Sequence, residues 1–75
     1  MMQGIKVNAM KLDKNKILLI MAEQGTNCAQ CSAKIGATPS YYAQALRRCY
    51  VMPKTANNIA KGLGVKVSDI VIMED

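Results

Sequence analysis

The sequence predicts an all-α protein, a compact domain of five short helices that follows a short extended arm. Apolar residues recur at spacings of three and four in successive stretches, and glycines close three of these stretches: Gly25, Gly36 and Gly64. The chain has 75 residues, of which 51% are hydrophobic, so it has room for one small core. We therefore expect an arm at residues 1–11 and a single helical domain at residues 12–75.

The arm and the first helix are predicted from local patterns. Apolar residues alternate with Lys6 and Asn8, which predicts an extended segment. Asp13 can cap a first helix over residues 13–24, whose core-facing stripe consists of Ile17, Ile20 and Met21. Leu18 and Leu19 lie outside this stripe. We expect these two leucines to pack on the arm or on a partner subunit.

The second and third helices are predicted to form a helix-turn-helix. Asn27 can cap a helix over residues 28–35, which Gly36 ends. Thr38 precedes Pro39, the residue type best suited to a first helical position, so the third helix is predicted over residues 39–47. Only residues 36–38 then separate the two helices, and so short a connection sets them at a steep angle.

The remaining helices are shorter predictions. After a loop through Met52 and Pro53, a fourth apolar stripe of helical spacing ends at Gly64: Ala56, Ile59, Ala60 and Leu63. Ser68 can then cap a fifth, short helix that carries Ile70 and Val71.

The charge of the chain is unevenly distributed. Ten Lys and Arg residues against five Asp and Glu residues leave a formal charge of +5, and no acidic residue lies between Glu23 and Asp69. This basic middle favours a polyanionic partner. A solvated basic surface that only aids solubility is the alternative.

Several classes of function are excluded by composition. The chain has no His and few carboxylates, so it offers no ordinary catalytic pair, and we expect no enzyme and no cofactor. Cys28 and Cys31 form a Cys-x-x-Cys, but three cysteines without His are too few for a structural zinc site, so we expect Cys31 to be a small buried hydrophobe. The longest apolar run, residues 17–22, is too short to span a membrane, and no secretory signal is visible. We expect a cytoplasmic protein that binds neither membrane nor small molecule.

Four stretches carry a family resemblance. They are AEQGTN before the second helix, the Ala-Lys-Ile-Gly-Ala-Thr turn, Tyr42 and Ala45 at six and nine positions after Gly36, and PKTANNIAKGLGVKVSDI. Through these stretches, residues 23–70 resemble the lambda-repressor-like, Xre/Cro-type helix-turn-helix family. The resemblance implies a five-helix domain whose third helix lies in the major groove of DNA, while the second helix crosses the backbone.

The resemblance also implies a set of DNA-contacting residues. Base reading falls on Pro39, Ser40 and Gln44, flanked by Thr38, Tyr41 and Ala43. Phosphate contacts fall on Asn27, Cys28, Arg47 and Arg48. Two of these positions depart from the family pattern, because Pro39 replaces a polar residue and Cys28 replaces the usual Gln.

The expected function is sequence-specific binding of double-stranded DNA by a transcriptional regulator, a repressor of phage or mobile-element type. A homodimer on an inverted repeat would also cover exposed apolar residues: Leu18, Leu19, Ile72 and Met73. The alternative is a helical protein-interaction module, such as an antitoxin-like protein or a co-regulator, that docks a partner without specific DNA binding.

Overall fold

The structure is a computed structural model, and it describes residues 9–72. Its elements follow the order β1 (Met10–Leu12), α1 (Lys14–Gln24), α2 (Cys28–Lys34), α3 (Tyr41–Arg48), β2 (Tyr50–Val51), α4 (Pro53–Leu63), a 3-10 turn (Val67–Asp69) and β3 (Val71–Ile72). The described part of the chain therefore combines four α-helices with three short strands.

The strands form one antiparallel sheet in the order β2-β1-β3. Met10 pairs with Val51, Lys11 lies between Tyr50 and Ile72, and Leu12 pairs with Val71. The prediction of an all-α, five-helix domain is therefore wrong. Strands of two or three residues leave no visible alternation in a sequence, and they form here because distant segments supply their hydrogen-bond partners.

The predicted extended arm enters this sheet. From Met10 onwards the segment is the central strand, and its pairing continues beyond β1: Leu12 N–H donates to Cys49 O at 2.7 Å and Asp13 N–H donates to Ile70 O at 2.8 Å. Residues 1–8, where most of the alternation lies, are outside the described residues.

The first two helices form as predicted. The Asp13 carboxylate accepts from Lys16 N–H at 3.2 Å to cap α1, and Gly25 ends that helix in the left-handed conformation. The Asn27 carboxamide oxygen accepts from Gln30 N–H at 2.9 Å to cap α2.

The third helix begins two residues later than predicted. Thr38 and Pro39 lie in the connection, where Thr38 O accepts from Tyr41 N–H at 3.0 Å, and α3 runs from Tyr41 to Arg48. Residues 35–40 therefore separate α2 from α3, rather than the three residues predicted. Pro39 fits this turn as well as a first helical turn, because its fixed φ serves both.

The last two predicted helices also differ. Pro53 is the first residue of α4 and not part of a loop, in the position that proline favours. The predicted fifth helix is only the 3-10 turn Val67–Asp69, closed where Lys66 N–H donates to the Asp69 carboxylate at 3.2 Å. Val71 and Ile72 then pair with β1. Both residues are β-branched, and such residues favour a strand over a further helical turn.

One apolar core joins the helices to the inner face of the sheet. Its largest fully buried members are Tyr42, Leu12, Ile17, Ile59, Leu63, Ile70 and Cys31. The burial of Cys31 agrees with the expectation from sequence. In residues 9–72, no helix is long and apolar enough to cross a membrane.

Candidate functional site

A buried serine sets α3 against α2. Ser32 Oγ donates to Cys28 O at 2.8 Å and accepts from Tyr42 N–H at 3.2 Å. Tyr42 lies in the first turn of α3, where backbone N–H groups lack partners within the helix, and Ser40 at the N-cap gives no side-chain bond. Ser32 therefore caps α3 from the neighbouring helix.

Tyr42 also attaches α3 to α4. Its side chain is completely buried, and its hydroxyl donates to Ile59 O at 2.6 Å. A Cβ at Gly62 would collide with the Tyr42 hydroxyl, so glycine is what lets the ring lie against α4. Burial raises the pKa of Tyr42 above the usual tyrosine range, because the protein interior disfavours a phenolate.

With the inner side of α3 held in this way, its outer side is presented to solvent. Ala43, Gln44, Arg47 and Arg48 are exposed, whereas Ala45 and Leu46 join Tyr42 in the core. Tyr41 lies at the border and is partly buried. The amphipathic spacing of α3 therefore places four of the predicted contact residues on one accessible face.

The turn before α3 carries the other predicted base-reading residues. Thr38, Pro39 and Ser40 are all exposed. Ser40 Oγ accepts from Gln44 Nε2 at 3.2 Å, a bond that does not use the carboxamide oxygen of Gln44. The same hydrogen bond orients Gln44 along the amino-terminal part of α3.

The two predicted phosphate contacts on α2 differ in what they can offer. Asn27 is exposed, and its side-chain oxygen is occupied by the cap, so its amide N–H groups remain as donors. Cys28 is partly buried and packs against the core. Burial, with a smaller contribution from Cys31, raises the pKa of the Cys28 thiol, so this side chain stays a neutral, weak donor.

A groove of about 350 Å³ runs beside the exposed side of α3. It brings together Tyr41, Gln44 and Arg48 with residues beyond the predicted set: Ala9, Ala45, Tyr50, Val51, Met52 and Thr55. Ala43 and Arg47 are not in its lining. Sequence reasoning missed Met52 and Thr55, because only the pairing of β2 with β1 brings the start of α4 beside α3.

Two tyrosines, Tyr41 and Tyr50, line the groove. Tyr50 is 50% exposed, and Asn58 Nδ2 donates to the Tyr41 hydroxyl at 3.3 Å, which holds that ring at the edge of α4. The sequence signal for such a surface is a tyrosine pair, Tyr41-Tyr42, and an arginine pair, Arg47-Arg48, in a stretch without acidic residues. This signal does not predict the groove itself.

The exposed charge of the stretch between Glu23 and Asp69 is entirely positive, because this stretch has no acidic residue. Its exposed basic residues are Lys34, Arg47, Arg48, Lys54, Lys61 and Lys66, of which Arg48 also lines the groove. Within residues 9–72, no group of three or more His, Cys, Asp or Glu side chains could hold a metal ion.

Comparisons with known proteins add no further information. No protein-family model, no curated protein and no solved structure matches the chain.

Proposed function

We propose that this protein is a sequence-specific double-stranded DNA-binding transcriptional regulator, a repressor of phage or mobile-element type, whose α3 enters the major groove. One observation carries the proposal. The helix packed on α2 through Ser32 has an outer face that is exposed, cationic and free of acid: Ala43, Gln44, Arg47 and Arg48. An α-helix fits the major groove, where base edges can be read.

The exposed side chains divide into two roles. Arg47 and Arg48, with the Asn27 amide, neutralise or bond phosphates and supply affinity that does not depend on sequence. Gln44 and Ser40 supply the sequence-dependent contacts, since a Gln carboxamide can pair with adenine N6 and N7. Pro39 offers only apolar contact, such as with a thymine methyl group.

The groove extends this surface beyond α3. Deoxyribose is less polar than phosphate, so a DNA strand bordering the major groove can place its sugars against Met52 and Tyr41 while Thr55 and Tyr50 donate to phosphate oxygens. This use of the groove supports a larger footprint than α3 alone would have. Two copies on an inverted repeat, with half-sites about 34 Å apart, would double that footprint.

Selection from random DNA tests the proposal directly. The purified protein is incubated with a randomised duplex pool, and the bound fraction is recovered over several rounds and sequenced. We expect an enriched inverted repeat. Salt-sensitive retention without enrichment would contradict sequence-specific regulation, and lack of retention would contradict DNA binding altogether.

A matched pair of double variants tests the proposed surface. We expect Arg47→Ala with Arg48→Ala to weaken binding on the order of 100-fold, because two charge-assisted hydrogen bonds are lost. The slope of log affinity against log salt should fall by about 0.9 for each phosphate contact removed. Lys61→Ala with Lys66→Ala removes the same charge from the last turn of α4 and the segment after it, outside the predicted contact residues, and should have a much smaller effect. Equal losses in both variants would show that charge alone binds DNA.

The groove favours one alternative function. Met52 and Tyr50 are each 50% exposed beside β2, an edge strand of the sheet that residues 9–72 form, as in a surface that docks a protein segment. If the protein is a helical protein-interaction module, the double variant Arg47→Ala with Arg48→Ala should still bind the partner protein, whereas Met52→Lys should not.

A further inference from the structure

The outer face of α1 is apolar where a surface helix is ordinarily polar. Ile17, Ile20 and Met21 form its buried side, yet Leu18 and Leu19 are 44% and 54% exposed on the other side. Ala22, also exposed, lies one turn after Leu18. None of these residues lines the groove or belongs to the exposed face of α3.

A charged stripe accompanies these leucines. Lys16, Leu19 and Glu23 are spaced by three and four residues, so they lie along one line of the helix surface, and all three are exposed. Lys16 and Glu23 are seven residues apart, about 10 Å along the axis, which is too far for them to pair with each other.

The charged residues within α1 oppose the helix dipole, although the Asp13 carboxylate at the N-cap favours it. Lys14 and Lys16 lie in the first turn, which has no acidic residue, and Glu23 lies in the last turn, which has no basic residue. A helix is stabilised by the reverse arrangement, with acidic residues at its amino end and basic residues at its carboxyl end. Lys16 Nζ donates to Asp69 O at 3.2 Å, and this neutral carbonyl satisfies one of its three donors without balancing its charge.

We infer that this face is a self-association surface, on which α1 packs antiparallel against α1 of a second copy of the chain. In such a pair the amino end of one helix lies beside the carboxyl end of the other. Each Lys16 then faces Glu23 of the other copy, and this happens twice about the symmetry axis. The midpoint between Lys16 and Glu23 falls next to Leu19, so the leucines meet at the centre.

A second copy fits the face better than an unrelated partner. The stripe is complementary to itself when turned through 180°, because a positive and a negative end flank an apolar centre. The chain as a whole carries a charge of +5 and would repel its copy elsewhere, so the Lys16 and Glu23 pairs also determine the orientation. Antiparallel packing further brings opposite helix dipoles side by side.

The association should be weak and dependent on concentration. Specific stable complexes bury about 800 Å² on each partner. An 11-residue helix is only about 16 Å long, so one face of it buries less than that area. Dimers are therefore expected to form reversibly as concentration rises.

Sedimentation equilibrium on the full chain without DNA tests this inference. From roughly 10 μM to 1 mM, the weight-average mass should rise from monomer towards dimer. Leu19→Lys should abolish the rise, because it places two like charges at the axis. Ile72→Lys is the matched control. Ile72, which the sequence also suggests for a dimer surface, is 39% exposed on the strand β3 and lies outside α1, so this variant should leave the rise unchanged. A monomer at every concentration, or a dimer lost only in Ile72→Lys, would overturn the inference.

Charge reversal tests the antiparallel arrangement. Glu23→Lys should raise the dissociation constant on the order of tenfold, because both cross-helix pairs become repulsive. The same change should raise the melting temperature of the dilute monomer, since it matches the helix dipole. Lys16→Glu with Glu23→Lys should restore the wild-type dissociation constant. If the double variant stays as weak as Glu23→Lys alone, the antiparallel pairing is wrong.

This inference stands apart from the proposed DNA binding. The sedimentation measurement contains no DNA, and the DNA-binding variants Arg47→Ala and Arg48→Ala leave α1 unchanged. A monomer that still selects a DNA site would contradict only the dimer surface. A dimer that retains no DNA would contradict only the proposed function.

Discussion

Cys49 illustrates how a single residue connects two elements at the edge of the candidate site. It is the only non-glycine residue with positive φ among the described residues, at φ 70° and ψ −32°, directly after α3. Its N–H donates to Ala45 O and its carbonyl accepts from Leu12 N–H, so the helix end and the sheet together impose this conformation. Side chains with a Cβ adopt it only at a cost.

Cys49→Gly is therefore expected to stabilise the protein. Relief of the left-handed strain should exceed the extra chain entropy of glycine and the loss of the 3.6 Å contact from Cys49 Sγ to Leu12 O. We expect the free energy of unfolding to rise by about 0.5–1 kcal/mol in urea titrations. Cys49→Ala removes the same sulfur and keeps the strain. If the free energy of unfolding of Cys49→Gly is no higher than that of Cys49→Ala, the positive φ costs nothing at this position.

Whether the conformation of a single residue could be predicted from the sequence depends on how far along the chain its hydrogen-bond partner lies. The Asp13 and Asn27 caps could be predicted, because each accepts from an N–H only three residues away. The positive φ of Cys49 could not, since its hydrogen-bond partner Leu12 is 37 residues away along the chain.

At the scale of elements, the α2–α3 pair depends on one polar side chain in the core. Ser32 is completely buried and joins Cys28 O to Tyr42 N–H. Buried polar groups are costly when a partner is removed, so this pair of bonds fixes the relative position of the helices. The position of the α3 face relative to α2 follows from it.

Ser32→Ala should both destabilise the fold and impair the site. It leaves the Tyr42 N–H without an acceptor, so we expect a loss of about 1–3 kcal/mol in the free energy of unfolding. DNA affinity should fall at a temperature where the variant is still folded, because α3 can shift on α2. Ser68→Ala, at an exposed serine, should change stability by less than about 0.5 kcal/mol. Full affinity in a folded Ser32→Ala would show that the site does not need this bridge.

The helices could be predicted more completely than their junctions. Apolar periodicity over ten or more residues indicates α1 and α4 clearly. The start of α3 could not be predicted, because Pro39 is compatible with a turn and with a first helical position, and packing of Tyr42 decided between them.

At the scale of the whole molecule, Tyr42 links α2, α3 and α4. Its N–H reaches Ser32, its hydroxyl reaches Ile59 O, and its ring lies against Gly62. Ionisation of this hydroxyl would place a negative charge in the core, which is the reason that its pKa is raised in the folded state.

This raised pKa predicts how stability depends on pH. Below about pH 10, the usual pKa of tyrosine in an unfolded chain, the hydroxyl is protonated in both the folded and the unfolded state, so its contribution to the free energy of unfolding is constant. Above it the unfolded state loses the proton first, so stability falls by up to about 1.4 kcal/mol for each further pH unit.

Tyr42→Phe isolates this contribution. At pH 7 we expect the variant to be less stable by about 1 kcal/mol, because the bond to Ile59 O is lost. Between pH 9 and 11, in the presence of a reductant, its disadvantage should shrink, because phenylalanine cannot ionise. Tyr50→Phe removes an exposed hydroxyl and should run parallel to wild type. Parallel curves for Tyr42→Phe and wild type would contradict a buried neutral tyrosine.

The sequence by itself determined where the four α-helices lie, the first two caps and the acid-free charge of residues 24–68, whereas the fifth helix that it also predicted is only a 3-10 turn. These features depend on residues three or four apart or on composition, which local physics controls. Only the tertiary structure decided the sheet, the start of α3 and the groove beside it. Each of these requires contacts between residues far apart in the chain, and such contacts leave no periodic signal along it.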